Sequence, residues 1–153
     1  MNLTIIAVGR AKAGPERDLF DDYRKRLPWT LDVVEVEEKR PLDAATLREK
    51  EAGLLLAKVP SGSVVVALDG RGEKPTSEAF AARMGAWRDG GNSRVSFLIG
   101  GATGHGKGVR ARADYTFSLG DLTWPHMLVR AMLAEQLYRA WSILANHPYH
   151  RAG

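Results

Sequence analysis

Six glycines, Gly100, Gly101, Gly104, Gly106, Gly108 and Gly120, fall within 21 residues, and glycine at that density points to chemistry done by backbone. A residue without Cβ reaches positive φ and lets N–H and C=O groups approach a ligand closely. Loops held by a rigid sheet often carry function, although a plain surface loop has a similar composition. Two phosphate-binding patterns compete for these residues. The segment from Gly101 to Lys107 has the G-x-x-x-x-G-K spacing of a P-loop, but position 108 is glycine where a Mg²⁺-holding hydroxyl is needed. The apolar run ending at Asp69 also precedes the glycine loop instead of following it. The dinucleotide pattern G-x-G-x-x-G begins at Gly104 and Gly106 and fails at Val109. Both patterns are disfavoured, which leaves a backbone-built pocket suited to a nucleoside.

Other chemistries lack their residues. The chain has no cysteine, so no thiol nucleophile, and no serine stands in a G-x-S-x-G elbow. Its four histidines, His105, His126, His147 and His150, form no H-x-x-x-H pair, so no metal is expected. Arg130, Arg139 and Arg151 could hold phosphates, and Tyr138, Trp141 and Tyr149 could stack bases. Trp141 also suits the core. Tyr149, His150 and Arg151 lie in a polar tail where burial alone does not explain them. Residues 1–93 hold 15 basic and 15 acidic side chains, whereas from Arg94 onward seven basic face three acidic, so the net +4 lies in the last part of the chain. That asymmetry suits a polyanionic partner; a solvated helix face is the plainer alternative.

Regular elements must position these residues. Runs rich in β-branched residues at 3–8, 31–36, 63–68, 94–99 and 115–119 read as strands. Helical spacing joins Leu19, Tyr23 and Leu27, then Leu47, Leu54 and Leu55, then Phe80, Met84 and Trp87. The nearly unbroken apolar runs at 64–68 and 95–99 are expected of strands covered on both faces, so the fold class is α/β, an open parallel sheet with helices on both faces. A last helix over about residues 127–146 is bracketed by Pro125 and Pro148. Leu128, Met132, Leu137, Trp141 and Leu144 make its apolar stripe, opposite Arg130, Glu135, Arg139 and Ser142, and Glu135 can pair with Arg139 one turn on. Ligands of such sheets bind beyond the carboxyl ends of strands, which places Gly100, Gly101 and Gly120 at the site. At 153 residues, without a linker, one domain over 1–153 is expected. No apolar run nears the roughly 18 residues of a membrane span, no signal peptide opens the chain, and the lack of cysteine fits a reducing compartment. A cytoplasmic protein is expected.

Three blocks give a family resemblance: Phe97-Leu-Ile-Gly-Gly-Ala-Thr-Gly104, Ser118-Leu-Gly-Asp-Leu-Thr-Trp-Pro-His126, and Glu135-Gln-Leu-Tyr-Arg-Ala-Trp141 followed by His147-Pro-Tyr-His-Arg151. With residues 3–9 and Leu68-Asp69 also fitting, the chain resembles the RlmH (YbeA) family of ribosomal large-subunit methyltransferases over its whole length. The resemblance implies a SPOUT-class α/β-knot fold with a carboxy-terminal trefoil knot, an exception to the rarity of knots. It implies a homodimer with S-adenosyl-L-methionine bound at the subunit interface, and methylation of N3 of a pseudouridine in 23S ribosomal RNA on the assembled ribosome. Neither a metal nor a membrane is implied.

Carried over position by position, the cofactor contacts are Leu68, Gly100, Gly101, Gly120, Asp121, Leu122, Thr123, Trp124 and Pro125. The chain departs from the family pattern at Ala102-Thr103, where relatives often carry Pro-Glu, and at Trp124, where many have leucine. N3 of a uracil ring carries a proton that must leave, so a base or a positive environment is needed. His150 is the candidate to orient or deprotonate the ring, Arg139 and Arg151 to stabilise negative charge, and Glu135 to fix Arg139. Leu133, Leu137 and Trp141 are candidates for contact with the partner subunit. The rival reading is a non-catalytic ribosome-binding or assembly factor on the same fold, against which the intact glycine loop and residues 122–126 argue.

Overall fold

Side-chain alternation along strand β1 (Asn2–Val8) divides the core in two. Leu3, Ile5 and Ala7 pack with Phe20, Phe80, Met84, Ala131 and Leu133, whereas Ile6 and Val8 pack with Ala52, Leu55 and Val109 on the other face. The computed structural model, which describes residues 1–151, places β1 beside β2 (Thr30–Val36), β3 (Val64–Glu73), β4 (Arg94–Ile99) and β5 (Tyr115–Phe117). The sheet order is β2-β1-β4-β3-β5 and every pairing is parallel. Helices α1 (Pro15–Arg26), α3 (Ser77–Asp89) and α5 (His126–Leu144) supply the first cluster, while α2 (Ala44–Ala57) and α4 (Lys107–Arg112) supply the second. Helices on both faces explain the unbroken apolar runs of β3 and β4. Ser96 of β4 is fully buried, and its hydroxyl is satisfied by Ser63 Oγ at 2.7 Å.

The α/β class and the strand positions agree with the sequence reading, with local differences. The fifth strand stops at Phe117 instead of 119, because Ser118 folds the chain back on itself. The glycine stretch, read as a loop, contains α4, whose N-cap is Gly106. The buried face of α5 differs from the apolar stripe: Leu128 and Met132 are only half-buried, whereas Arg130 and Ser142, assigned to the polar side, are 4% and 0% exposed. The helix is wedged between α1 and α3, so more than one flank is covered. Residues 152–153 of the expected domain lie outside the described residues.

The starts of α2 and α3 are capped by side chains: Asp43 accepts from Thr46 N–H at 2.7 Å and Thr76 from Ala79 N–H at 3.0 Å. Thr76→Ala should lower unfolding free energy by about 1 kcal/mol, and Thr76→Gly by only a few tenths of that, in urea denaturation. Wild-type stability in Thr76→Ala would show that the hydroxyl does not cap.

Candidate active site

Loops leaving the carboxyl ends of β3, β4 and β5 enclose a cavity of about 930 Å³, closed on one side by His126 and Val129 at the start of α5. The chain enters the last of these loops through a tie to β3, where Ser118 N–H donates to Glu73 O at 2.7 Å. Ser118 Oγ then donates to Gly120 O at 2.8 Å and accepts from Gly120 N–H at 3.1 Å. This turn needs φ +115° at Gly120, a left-handed value that glycine adopts without strain. Trp124 Nε1–H donates to Leu119 O at 3.3 Å, folding the indole over its own loop. Opposite, Gly104 N–H donates to Gly101 O at 3.0 Å.

The glycine pair is packed closely against protein. A Cβ on Gly101 would lie 2.9 and 3.0 Å from the Glu51 carboxylate oxygens and 3.2 Å from Val8 Cγ1; on Gly100 it would lie 3.1 Å from His105 Nδ1. Glu51 is buried, its Oε1 has no partner, and burial pushes its carboxyl up. His105 is also buried, and its Nε2–H donates to Leu98 O at 3.0 Å. Nδ1 is therefore the ring's free acceptor, and it has no partner. Burial lowers the His105 pKa, so the ring is neutral and adds no cation beneath Gly100. Thr103 Oγ1 is a third buried atom without a partner. Asp69 is gripped by Arg71 Nη2–H at 2.6 Å and Nε–H at 2.9 Å, which holds its carboxyl below the usual range.

Of the nine residues expected to hold a cofactor, Leu68, Gly100, Gly101, Gly120, Asp121, Leu122, Thr123 and Trp124 line this cavity. Pro125 is not on the wall; its carbonyl accepts Val129 N–H at 3.1 Å at the N-terminus of α5. None of Glu135, Arg139, His150 and Arg151 lines the cavity. Three of them form a separate network. Glu135 Oε1 accepts from Arg139 Nη2–H at 2.6 Å, Arg139 Nε–H at 3.0 Å and Tyr149 O–H at 2.9 Å. The pairing with Glu135 raises the Arg139 pKa, so the guanidinium stays charged. Burial pushes the Tyr149 phenol up, with help from Tyr23 and Glu135, so it remains a donor. Arg151 is exposed.

His150 sits between Glu78 Oε1, 2.8 Å from Nε2, and Arg139 Nη1, 3.1 Å from Nδ1. Arginine can only donate, and the Glu78 pKa is lowered by the His150 contact, so Nε2 carries the hydrogen and Nδ1 the lone pair. Glu78, at the start of α3, joins this network and is a member that sequence reasoning missed; it is 72 positions from His150, and nothing local marks it. Two expectations for this helix are corrected. Tyr138, a candidate for base stacking, is 6% exposed and packs against Tyr23, Trp141, His147 and Tyr149. Leu133 and Leu137 are fully buried within the chain, so neither can face a partner subunit; Trp141 keeps some exposure.

Arg130, assigned to phosphate binding, is engaged by Glu35 Oε2 at 2.5 Å and donates to Gly9 O at 3.0 Å. Among the described residues, no three of His, Cys, Asp and Glu gather as a metal site, and no helix is long and apolar enough to cross a membrane.

A family model described as "Predicted SPOUT methyltransferase" matches residues 1–150. The chain is 60% identical over 151 residues to a protein of Paramagnetospirillum magneticum, covering 99% of each chain. It is 56% identical over 152 residues to one of Rhodospirillum centenum, covering 99% of this chain and 100% of the relative. A Rhodospirillum rubrum protein is 53% identical over 152 residues with the same coverage. Each of the three relatives is named "Ribosomal RNA large subunit methyltransferase H".

Proposed function

Because this chain belongs to the SPOUT methyltransferase family, we propose that it methylates N3 of a pseudouridine in the 23S ribosomal RNA of assembled ribosomes, using S-adenosylmethionine. The observation that carries this reading is the cavity at the carboxyl edge of the sheet, whose wall includes the glycine-bearing loops 100–104 and 118–124. Its residues fit the cofactor. Leu68, Gly100 and Gly101 would hold it from one side and Gly120 through Trp124 from the other. The neutral His105 adds no positive charge beneath the glycine pair, and the unpartnered Thr103 Oγ1 and His105 Nδ1 are buried polar atoms of the kind a bound ligand can satisfy. When bound, S-adenosylmethionine supplies an electrophilic methyl group that needs no metal to react.

The chain's own residues then manage the target base. Holding the ring with N3 in line supplies much of the acceleration. Glu78 fixes the His150 tautomer whose Nδ1 can take the N3 proton, the part a carboxylate plays for histidine in other general-base sites. Arg139 leaves Nδ1 to face the developing anion, steered by Glu135, and Arg151 adds a second positive charge.

The separation of this network from the cavity favours a homodimer in which the network of one copy serves the cavity of the other. Leu122 and Trp124, 72% and 38% exposed at the rim, offer apolar surface for that contact. The same reading includes one domain over 1–153, the carboxy-terminal trefoil knot and a cytoplasmic location. Radiolabelled methyl transfer to ribosomes from cells lacking the modification, followed by mapping, is the test. Label should appear at N3 of one pseudouridine in the large-subunit RNA; no label there overturns the function. Arg139→Ala and Gly101→Val should each be inactive alone. Mixed and allowed to exchange subunits, they should regain about one quarter of wild-type activity, since half the dimers then carry one intact site. A mixture that stays inactive would rule out a shared site.

A further inference from the structure

We propose that a second cavity, across the first turn of α5 from the cofactor cavity, holds an unpaired nucleotide of the RNA next to the one methylated. This rests on the ribosomal RNA reading above. The cavity, about 530 Å³, lies between the loop after β1, helix α1 and the start of α5, and its size is within the range of about 300–1,000 Å³ usual for small-ligand sites. The two cavities share a wall. His126 and Val129 line the first, while Met127 and Arg130 line the second. Both sides are anchored to the end of β1: His126 Nε2–H donates to Val8 O at 3.1 Å, and Arg130 Nη2–H to Val8 O at 3.4 Å and Gly9 O at 3.0 Å. A nucleotide in the second cavity would therefore sit one helix turn from the reacting base.

The lining has the chemistry of a nucleotide site. Phe20, Val33 and Met127 give an apolar surface for a base, the mode by which unstacked RNA bases are held. Arg130 has a side chain only 5% exposed, and its Nε–H has no partner. Around the opening, Arg10 pairs with Glu37 at 3.5 Å and Arg24 with Asp32 at 3.7 Å. Lys12 and Arg17 are exposed and make no ion pair among the described residues, which leaves two cations for phosphate. Burial opposes ionisation of Glu35, but hydrogen bonds from Arg130 and the Ala11 N–H outweigh it, so this carboxylate is already neutralised by the protein. The other carboxylates on the wall, Glu16 and Asp21, can accept from base N–H groups.

Ala13→Trp tests the proposal, because Ala13 is an exposed lining residue and the indole fills the cavity without removing a charge. Affinity for assembled ribosomes should fall about ten-fold or more, as loss of one stacked base does, with S-adenosylmethionine affinity unchanged by calorimetry. In methyl-labelled protein, uridine 5′-monophosphate at millimolar concentration should shift the Met127 methyl resonance of the wild type and not that of Ala13→Trp. Lys12→Ala/Arg17→Ala should flatten the salt dependence of ribosome binding by about 0.7 for each phosphate that is no longer neutralised. Wild-type ribosome affinity in Ala13→Trp, with no Met127 shift in either protein, would overturn the nucleotide site and leave the methyltransferase reading standing. A change in sedimentation of Ala13→Trp would assign the cavity to contact between copies and overturn it as well. A wild-type chain that bound neither ribosomes nor their RNA would end both readings.

Discussion

Glu135→Ala is expected to slow single-turnover methyl transfer to ribosomes by about 10²-fold, the loss typical when a catalytic group is held out of position. One carboxylate oxygen of Glu135 gathers three donors: two N–H groups of Arg139, at 2.6 and 3.0 Å, and the Tyr149 hydroxyl at 2.9 Å. Removing it frees the guanidinium from its tether and at the same time frees the tail that carries His150. Both partners of this ion pair are largely buried, at 24% and 19% side-chain exposure, so water replaces these hydrogen bonds only in part. Glu135→Gln keeps an acceptor oxygen and the Tyr149 hydrogen bond, and should recover a substantial part of the rate. Because none of the network lines the cofactor cavity of its own chain, calorimetric affinity for S-adenosylmethionine should stay at the wild-type value in both variants. A wild-type transfer rate in Glu135→Ala would remove the network from the mechanism. A parallel loss of cofactor affinity would make its effect structural.

The parts of this site that are legible in the sequence are those whose partners are close in the chain. Glu135 and Arg139 are one turn apart and pair as spacing requires. The glycine cluster marks the loop after β4 because a central strand must run directly into it. Spacing does not reveal the reason for some of those glycines: Gly101 is close to Glu51 and Gly106 to Arg48 and Glu49, so both are needed first to seat the loop on α2. The buried face of α5 departs from its apolar stripe for a related cause. Amphipathic spacing assumes one wet flank, but Arg130 is satisfied by Glu35, 95 positions away, and by the end of β1. Its charge therefore does not reach the surface, and the basic excess of the last segment is carried by exposed Arg94, Lys107, Arg110, Arg112 and Arg151. The Glu78–His150 pair cannot be found locally, since it depends on α3 and the tail meeting beside α5.

Gly72→Ala should be the most damaging single methyl group in the protein. It sits near the end of β3, where Leu68 and Glu73 both register with Phe117, so the strand bulges across β5. A Cβ there would lie 2.6 Å from Phe117 Cα and N and 2.7 Å from Thr116 C. These are backbone atoms of a short strand, which cannot turn aside as a side-chain end would. Overpacking of this kind destabilises by about 3 kcal/mol, which for a domain of this size lowers Tm by roughly 6–12 °C. Gly70→Ala provides the control: it lies in the same bulge, but its Cβ would meet nothing within 4 Å, and Tm should change little. The damage should also reach the cofactor cavity, because Phe117 leads directly into Ser118, whose N–H is tied to Glu73 O at 2.7 Å. Pushing β5 away from β3 strains that tie and moves the loop through Trp124. At a temperature where Gly72→Ala remains folded, S-adenosylmethionine affinity should therefore fall along with Tm. Unchanged affinity in a destabilised protein would show that the loop after β5 holds its shape independently of the bulge.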